Sequence, residues 1–221
     1  MEKKGRLIVI EGGDASGKAT QTERLKQKLE AEGRRVETLS FPRYSEVIGG
    51  AIGGCLRGEY GDFMSVDSRV ASALFAVDRF DAKSKILKWL EKGAIVILDR
   101  YTSANMLHQG AKIADETERK ETVKWIYHLE HEVFGLPLPD AVFYLSAPAE
   151  VRAELQKKED KKADKSETDI EHQRSVDERA DSVLNIYPNT YKIDCMQDMQ
   201  LRTVEDIGDE LYNLVKPIIS A

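Results

Sequence analysis

The run Leu7-Ile8-Val9-Ile10-Glu11-Gly12-Gly13-Asp14-Ala15-Ser16-Gly17-Lys18-Ala19-Thr20 joins a short apolar stretch to a glycine-rich turn and then to a helical pattern. Four consecutive apolar residues suit a strand buried on both faces of a parallel sheet. From Ala19 to Glu32 the spacing predicts a helix with Leu25 and Leu29 on one face, closed by Gly33. Between strand and helix, Gly12 to Lys18 fits the pattern G-x-x-x-x-G-K in the strand–turn–helix context that a phosphate-binding loop requires. Its glycines let backbone N–H groups turn toward phosphate oxygens, the helix presents its positive end, and Lys18 adds a mobile cation. Gly12, Gly13, Asp14, Ala15, Ser16, Gly17, Lys18, Ala19 and Thr20 are therefore the expected phosphate cradle. One position departs from the pattern. The hydroxyl residue that follows the lysine and serves the metal ion is replaced by Ala19. Thr20 lies about 100° further round the helix, so it does not simply replace that hydroxyl.

Outward from this loop, strands and helical patterns alternate. Val36–Leu39, Ala94–Leu98, Ala141–Leu145 and Tyr191–Asp194 read as strands, the last as an edge. Val47–Leu56, Val66–Trp89 (as one helix or two), Ser103–Phe134, Asp169–Ile186 and Val204–Val215 carry helical patterns. This alternation predicts an α/β fold with a mostly parallel sheet and right-handed crossovers. A chain of 221 residues fits one domain over 1–221, and 41% hydrophobic residues are enough for a core rather than disorder. A net charge of −6 argues against a broad nucleic-acid footprint, which needs a basic face. No apolar run approaches the roughly 20 residues of a membrane span. Cys55 and Cys195 stand in no metal-ligand spacing and read as reduced thiols of a cytoplasmic protein.

The strongest strand ends in Asp99-Arg100-Tyr101. Ligands of parallel sheets collect at the carboxyl ends of strands, so these residues should face the crevice of the phosphate loop. Arg100 could clamp a phosphate with two donors, and Asp99 could order Mg2+ or its waters. The same pair could also be a structural ion pair capping the strand.

Four blocks in order then give a specific resemblance: Glu11-Gly12-Gly13-Asp14; Phe41-Pro42-Arg43-Tyr44; Leu74-Phe75-Ala76-Val77-Asp78-Arg79; and Asp99-Arg100-Tyr101-Thr102-Ser103-Ala104-Asn105, continuing to Gln109-Gly110. Over nearly its whole length the chain resembles the thymidylate kinase family of P-loop nucleoside monophosphate kinases. The resemblance implies a five-stranded parallel sheet flanked by helices, a mobile lid over about residues 155–170, and a homodimer with the helix around Val66–Ala76 near its interface. It implies transfer of a phosphoryl group from ATP to dTMP with Mg2+, for dTTP supply, and no nucleic-acid or membrane partner.

Roles carry over by position. Phe75 matches the aromatic that stacks on thymine, and Arg79 the arginine that reads O4. Asn105, with Gln109 one turn on, matches the base edge. Arg43 and Arg100 match the arginines that hold the monophosphate. Asp14 matches the carboxylate near the 3′-hydroxyl and the metal, and Asp99 joins it as a candidate metal ligand. His108 falls where family members often place tyrosine or phenylalanine under the deoxyribose. Many members carry an arginine just after the loop aspartate; here it is Ala15. The catalytic cations are therefore expected to be Lys18 and Arg100 together with lysines of the segment Lys157–Lys165, Lys161 and Lys162 first, while Glu167 resembles an acidic lid residue that closes over the acceptor. Taken alone, that lysine-rich segment reads equally as a solvated mixed-charge helix. Two other readings stay open: a kinase for another pyrimidine monophosphate or a deoxynucleoside, and a P-loop switch that uses ATP only to change partner affinity.

Overall fold

The computed structural model describes residues 5–158 and 169–220. Strands β1 (Arg6–Gly12), β2 (Val36–Ser40), β3 (Ile95–Asp99), β4 (Ala141–Ser146) and β5 (Thr190–Asp194) form one parallel sheet in the order β2-β3-β1-β4-β5. The five-stranded parallel sheet expected from the resemblance is thus observed, with β5 at the edge. Helices α1 (Lys18–Ala31), α2 (Val47–Leu56), α3 (Ser68–Glu91), α4 (Thr102–Ala111), α5 (Glu116–Tyr127), α6 (Ala149–Lys158), α7 (Ile170–Leu184) and α8 (Val204–Ser220) surround it.

The period of two along each strand sends alternate residues to opposite faces. Leu7 and Val9, with Val96, Leu98, Val142 and Tyr144, join the core built with α3, α4, α5 and α7. Ile8 and Ile10, with Ile95, Ile97, Phe143 and Leu145, join the opposite core against α1 and α8. Both faces being covered explains why these strands are continuously apolar rather than alternating. Register then places the site. Ile10 pairs with Asp99 and Gly12 with Leu145, so β1 and β3 deliver the phosphate loop and Asp99-Arg100 to the same edge. Strand β1 lies between two strands that come later in the chain, the switch point where ligands of open α/β sheets bind.

Several boundaries differ from expectation. The pattern over Val66–Trp89 is a single helix, α3, preceded by a 3-10 turn at Phe63–Ser65. Its start is set by Asp67, whose carboxylate accepts from N–H of Arg69 (2.9 Å) and Val70 (3.2 Å). The pattern over Ser103–Phe134 divides into α4, α5 and a π-helical turn at His128–Val133, closed by Phe134 N–H on the Leu129 carbonyl (2.9 Å). Helix α6 and a small hairpin, β6 (Met196–Gln197) with β7 (Gln200–Leu201), have no counterpart in the sequence reading. Helix α8 runs through Pro217 to Ser220 because its apolar stripe Ile207, Leu211, Val215, Ile219 continues to the end. Among the described residues no helix is long and apolar enough to cross a membrane.

Candidate active site

The phosphate loop is shaped by backbone that L side chains resist. Gly12 has φ 148° and Gly17 φ 87°, and Ala15 is held at φ 58°. Gly13 is required for another reason: a Cβ there would stand 1.7 Å from Nη1 of Arg152. Lys18 folds back so that Nζ donates to the Gly13 carbonyl (2.7 Å). Burial first, then repulsion from Arg100, brings its ammonium down to about 8.

Arg100, at φ 65°, follows β3 and crosses to the loop. Its Nη2 is in a tight ion pair with Oδ1 of Asp14, and its Nη1 donates to Nε2 of His108 (2.9 Å). Oδ2 of Asp14 accepts from Nε2 of Gln173 (3.1 Å). Burial would raise the Asp14 pKa, but Arg100, then Lys18 and Arg152, hold it well below the usual carboxylate range. Burial and then Arg100 push His108 well below the ordinary histidine value, so its ring is neutral at pH 7.

Glu11, the residue before the loop, is fully buried. Its Oε1 accepts from N–H of Tyr101 (3.0 Å), Oγ of Ser103 (2.6 Å) and N–H of Ala104 (3.0 Å), satisfying the first turn of α4. Burial raises its pKa, against the pull of Ser103 and Arg100. Arg152, from the first turn of α6, is also buried. It donates to the Ala147 carbonyl (2.9 Å), to Oε1 of Gln173 (2.8 Å) and to Oδ2 of Asp177 (2.6 Å), binding α6 and α7 to the loop.

At the other end stand the aromatic and amide residues. Phe75 leans on Phe63 with ring centroids 6.1 Å apart. Arg79 pairs with Glu130 through Nε (2.5 Å) and Nη2 (2.8 Å), and Asn105 Nδ2 donates to the same carboxylate (2.8 Å) and to the Ser72 carbonyl (3.1 Å). Asp99 Oδ1, Asn105 Oδ1 and Gln109 Oε1 are buried with no hydrogen-bond partner. Unmet buried acceptors of this kind cost about 1–3 kcal/mol each, and they mark places where a ligand can donate.

One cavity of about 450 Å3 connects the two ends. It brings together Asp14, Ala15, Gly17, Lys18, Ala19, Thr20, Phe75, Arg79, Asp99, Arg100, Asn105, His108 and Gln109, all expected from the sequence. Gly12, Gly13 and Ser16 shape the loop without lining the cavity. Arg43 is not brought in. Its guanidinium is taken by Asp78 (3.0 Å) and Asp81 (2.6 Å), and it lines an adjoining cleft with Thr22, Glu23, Ser40 and Asp99. Lys161, Lys162 and Glu167 lie outside the described residues.

The sequence reading missed Glu11 as a cap, Glu130, Arg152, Gln173, and the cavity residues Phe63, Lys112 and His172. Glu130 had a signal: with Val123 and Ile126 it falls on the buried stripe of α5 and its π turn, and a buried acid needs partners. Arg152 had none. Chemically the arrangement offers cations and N–H groups at one end, a flat apolar face with polar edge groups at the other, and a clamped arginine between. Phosphoryl transfer asks for such positioning and positive charge more than for covalent help.

Residues 10–207 match the model of a family described as thymidylate kinase. A thymidylate kinase of Mycobacterium tuberculosis is 38% identical over 149 residues, covering 67% of this chain and 69% of that protein. One of Danio rerio is 27% identical over 219 residues, 99% of this chain and 93% of that protein. Among solved structures, a thymidylate kinase from Candida albicans superposes with a TM-score of 0.76 at 25% identity, over 97% of this chain and 92% of that one.

Proposed function

This chain belongs to the thymidylate kinase family, and from that premise we propose how its residues transfer a phosphoryl group from ATP to dTMP. Family membership makes it a nucleoside monophosphate kinase and sets aside the P-loop switch. The observation that carries the residue assignments is the single cavity joining Lys18 and the loop to Phe75, Arg79 and Asn105, with Arg100 between them. Donor and acceptor phosphates must meet in one enclosed space.

ATP lies with its phosphates on the N–H groups of the loop, and Lys18 leaves the Gly13 carbonyl to follow the transferring charge. The thymine ring stacks on Phe75, with Arg79, Asn105 and Gln109 at its edge. Arg100, kept protonated by Asp14, Asp99 and Glu11 against the cost of burial, holds the acceptor phosphate. Arg43 assists from the adjoining cleft once a phosphate competes with Asp78 and Asp81. Asp14 and His108 meet the sugar. The lid, over about residues 155–170 of one kinase domain, adds Lys161 and Lys162 as catalytic cations and Glu167 over the acceptor.

The donor set fits Mg2+. Both oxygens of Asp14 are engaged by Arg100 and Gln173, whereas Oδ1 of Asp99 is buried and unpartnered at the cavity wall. Among the described residues there is no cluster of three acidic, histidine or cysteine ligands. Mg2+ at nucleotide sites is held by one or two carboxylates plus phosphates and waters. Asp99 would hold it, with Asp14 a water away, and the ion would neutralise charge on the phosphates. Free Cys55 and Cys195 support a cytoplasmic setting. Exposed Val70, Val77 and Phe80 on α3 support a homodimer through that helix; a single monomeric species on sedimentation at micromolar concentration would refute it.

The test of the assignments is ATP consumption over a panel of nucleoside monophosphates, with dTMP expected first and dUMP poorer. Phosphorylation of CMP or AMP in preference to dTMP would overturn the base-site assignment.

A further inference from the structure

Glu130 has no exposed surface and carries none of the roles assigned above, yet it contacts two of the three residues assigned to the base edge, Arg79 and Asn105. The π turn at His128–Val133 places it between α3 and α4. Single π turns of this kind recur at functional sites. Its Oε2 accepts from Nε of Arg79, and its Oε1 accepts both from Nη2 of Arg79 and from Nδ2 of Asn105. An ionised carboxylate only accepts hydrogen bonds. The Ser72 carbonyl beside it is a second acceptor for the same Nδ2. Asn105 therefore has one orientation, with its amino group turned to Glu130 and Ser72. Its Oδ1 is left buried and unpartnered, and the residue lines the cavity. Arg79, with Nε and Nη2 both taken by Glu130, keeps Nη1 as a donor that no hydrogen bond among the described residues uses, and it lines the same cavity.

We infer that Glu130 is a positioning residue that sets the donor–acceptor polarity of the base wall, presenting Arg79 as donor and Asn105 Oδ1 as acceptor, and so selects a thymine or uracil edge against cytosine. The inference rests on the reading that Arg79 and Asn105 meet the base. Thymine and uracil offer an acceptor at O4 and a donor at N3–H; cytosine offers the reverse, an amino donor and an unprotonated N3. Against the wall that Glu130 fixes, cytosine meets donor with donor and acceptor with acceptor. Leaving buried polar groups facing like partners is a strong way for a site to reject an analogue.

The test is Glu130→Gln, which keeps size and removes one acceptor. Gln offers one acceptor oxygen: in the Oε1 place it keeps Asn105 but turns an N–H toward Nε of Arg79, and in the Oε2 place it turns that N–H toward Asn105 and Nη2 of Arg79, so one side of the base wall loses its fixed orientation either way. Steady-state kinetics with dTMP, dUMP and dCMP should show the dTMP-to-dCMP ratio of kcat/KM falling by about ten-fold or more. The KM for dTMP should rise and the KM for ATP should hold. A merely structural role would not move the base ratio. If Glu130→Gln does not fold, Glu130→Asp carries the test, since the shorter carboxylate cannot reach both partners and the ratio should again fall. An unchanged ratio in a folded variant, or a common rise in both KM values, overturns the inference. If instead the wild-type protein prefers dCMP, or Arg79→Ala leaves the dTMP KM unchanged, the base-edge reading falls and the inference with it.

Discussion

Arg100 Nη1 donates to Nε2 of His108 across 2.9 Å, so the imidazole turns its unprotonated nitrogen to a permanent cation. Asp14 on the far side of Arg100 pulls the other way, while His172 and Lys18 add to the repulsion of a proton. Burial and Arg100 together win, and the ring stays neutral.

That balance predicts a pH signature. His108 in the folded chain titrates well below the 6.5 of an unperturbed histidine. Above that value both states are neutral and the contribution is complete. As pH falls below it, the unfolded chain takes a proton that the folded chain refuses, and stability is lost. Compared with His108→Phe, the wild-type protein should lose Tm on going from neutral to mildly acid pH, by on the order of 3 °C. Parallel Tm curves for the two proteins would contradict the assignment.

Lys18→Met separates chemistry from folding. Turnover should fall by about 10²-fold or more, as for other removals of preorganised transition-state charge. The Tm should hold or rise, because the ammonium is buried and its pKa is brought down to about 8, which makes its charge a cost to the fold. Single-turnover rates and thermal melts check both halves, and near-normal turnover would defeat the reading of the loop.

Phe75→Ala should weaken dTMP binding by about 1–3 kcal/mol, the range for loss of a base-stacking ring, with little change for ATP. The measurement is the pair of KM values under saturating partner substrate. Equal loss for both substrates would point to collapse of the Phe63–Phe75 contact into the cavity instead.

Asp99→Asn should raise the free Mg2+ needed for half-maximal turnover, and Asp14→Asn should do so less, since the oxygens of Asp14 already have partners. Ala19→Ser, which restores a hydroxyl after the lysine, should lower the requirement. Titration of Mg2+ at fixed ATP distinguishes these. An unaltered requirement in Asp99→Asn removes Asp99 from the metal site.

The parts of this molecule that depend on local pattern were legible in the sequence. Leu7–Ile10 and Ala94–Leu98 announce buried strands, Gly12–Lys18 announces the loop, and register alone then brings Asp99-Arg100 beside it. Phe75, Asn105 and Gln109 were reachable only through resemblance, because a ring or an amide on a helix carries no local mark of what it faces. Glu130 escaped although its place on the stripe with Val123 and Ile126 was visible. Its meaning depends on Arg79 and Asn105 arriving from two other helices. Arg43 shows the opposite case: a residue well matched by motif whose side chain is already held by Asp78 and Asp81. Helix α6 was hidden by the lysine-rich composition that begins at its end, and the β6–β7 hairpin by a turn with Asp198 and Met199, not glycine, at positive φ.

The Glu11 carboxylate joins the end of strand β1 directly to the first turn of α4. The residue before the phosphate cradle thus clamps the helix that carries Asn105, His108 and Gln109. The gap between the two nucleotide seats is therefore gauged by the rigid interior of the protein, independently of anything that closes over it. Two substrates arriving in either order would find the same spacing waiting, and closure would have only to shut out water and deliver charge.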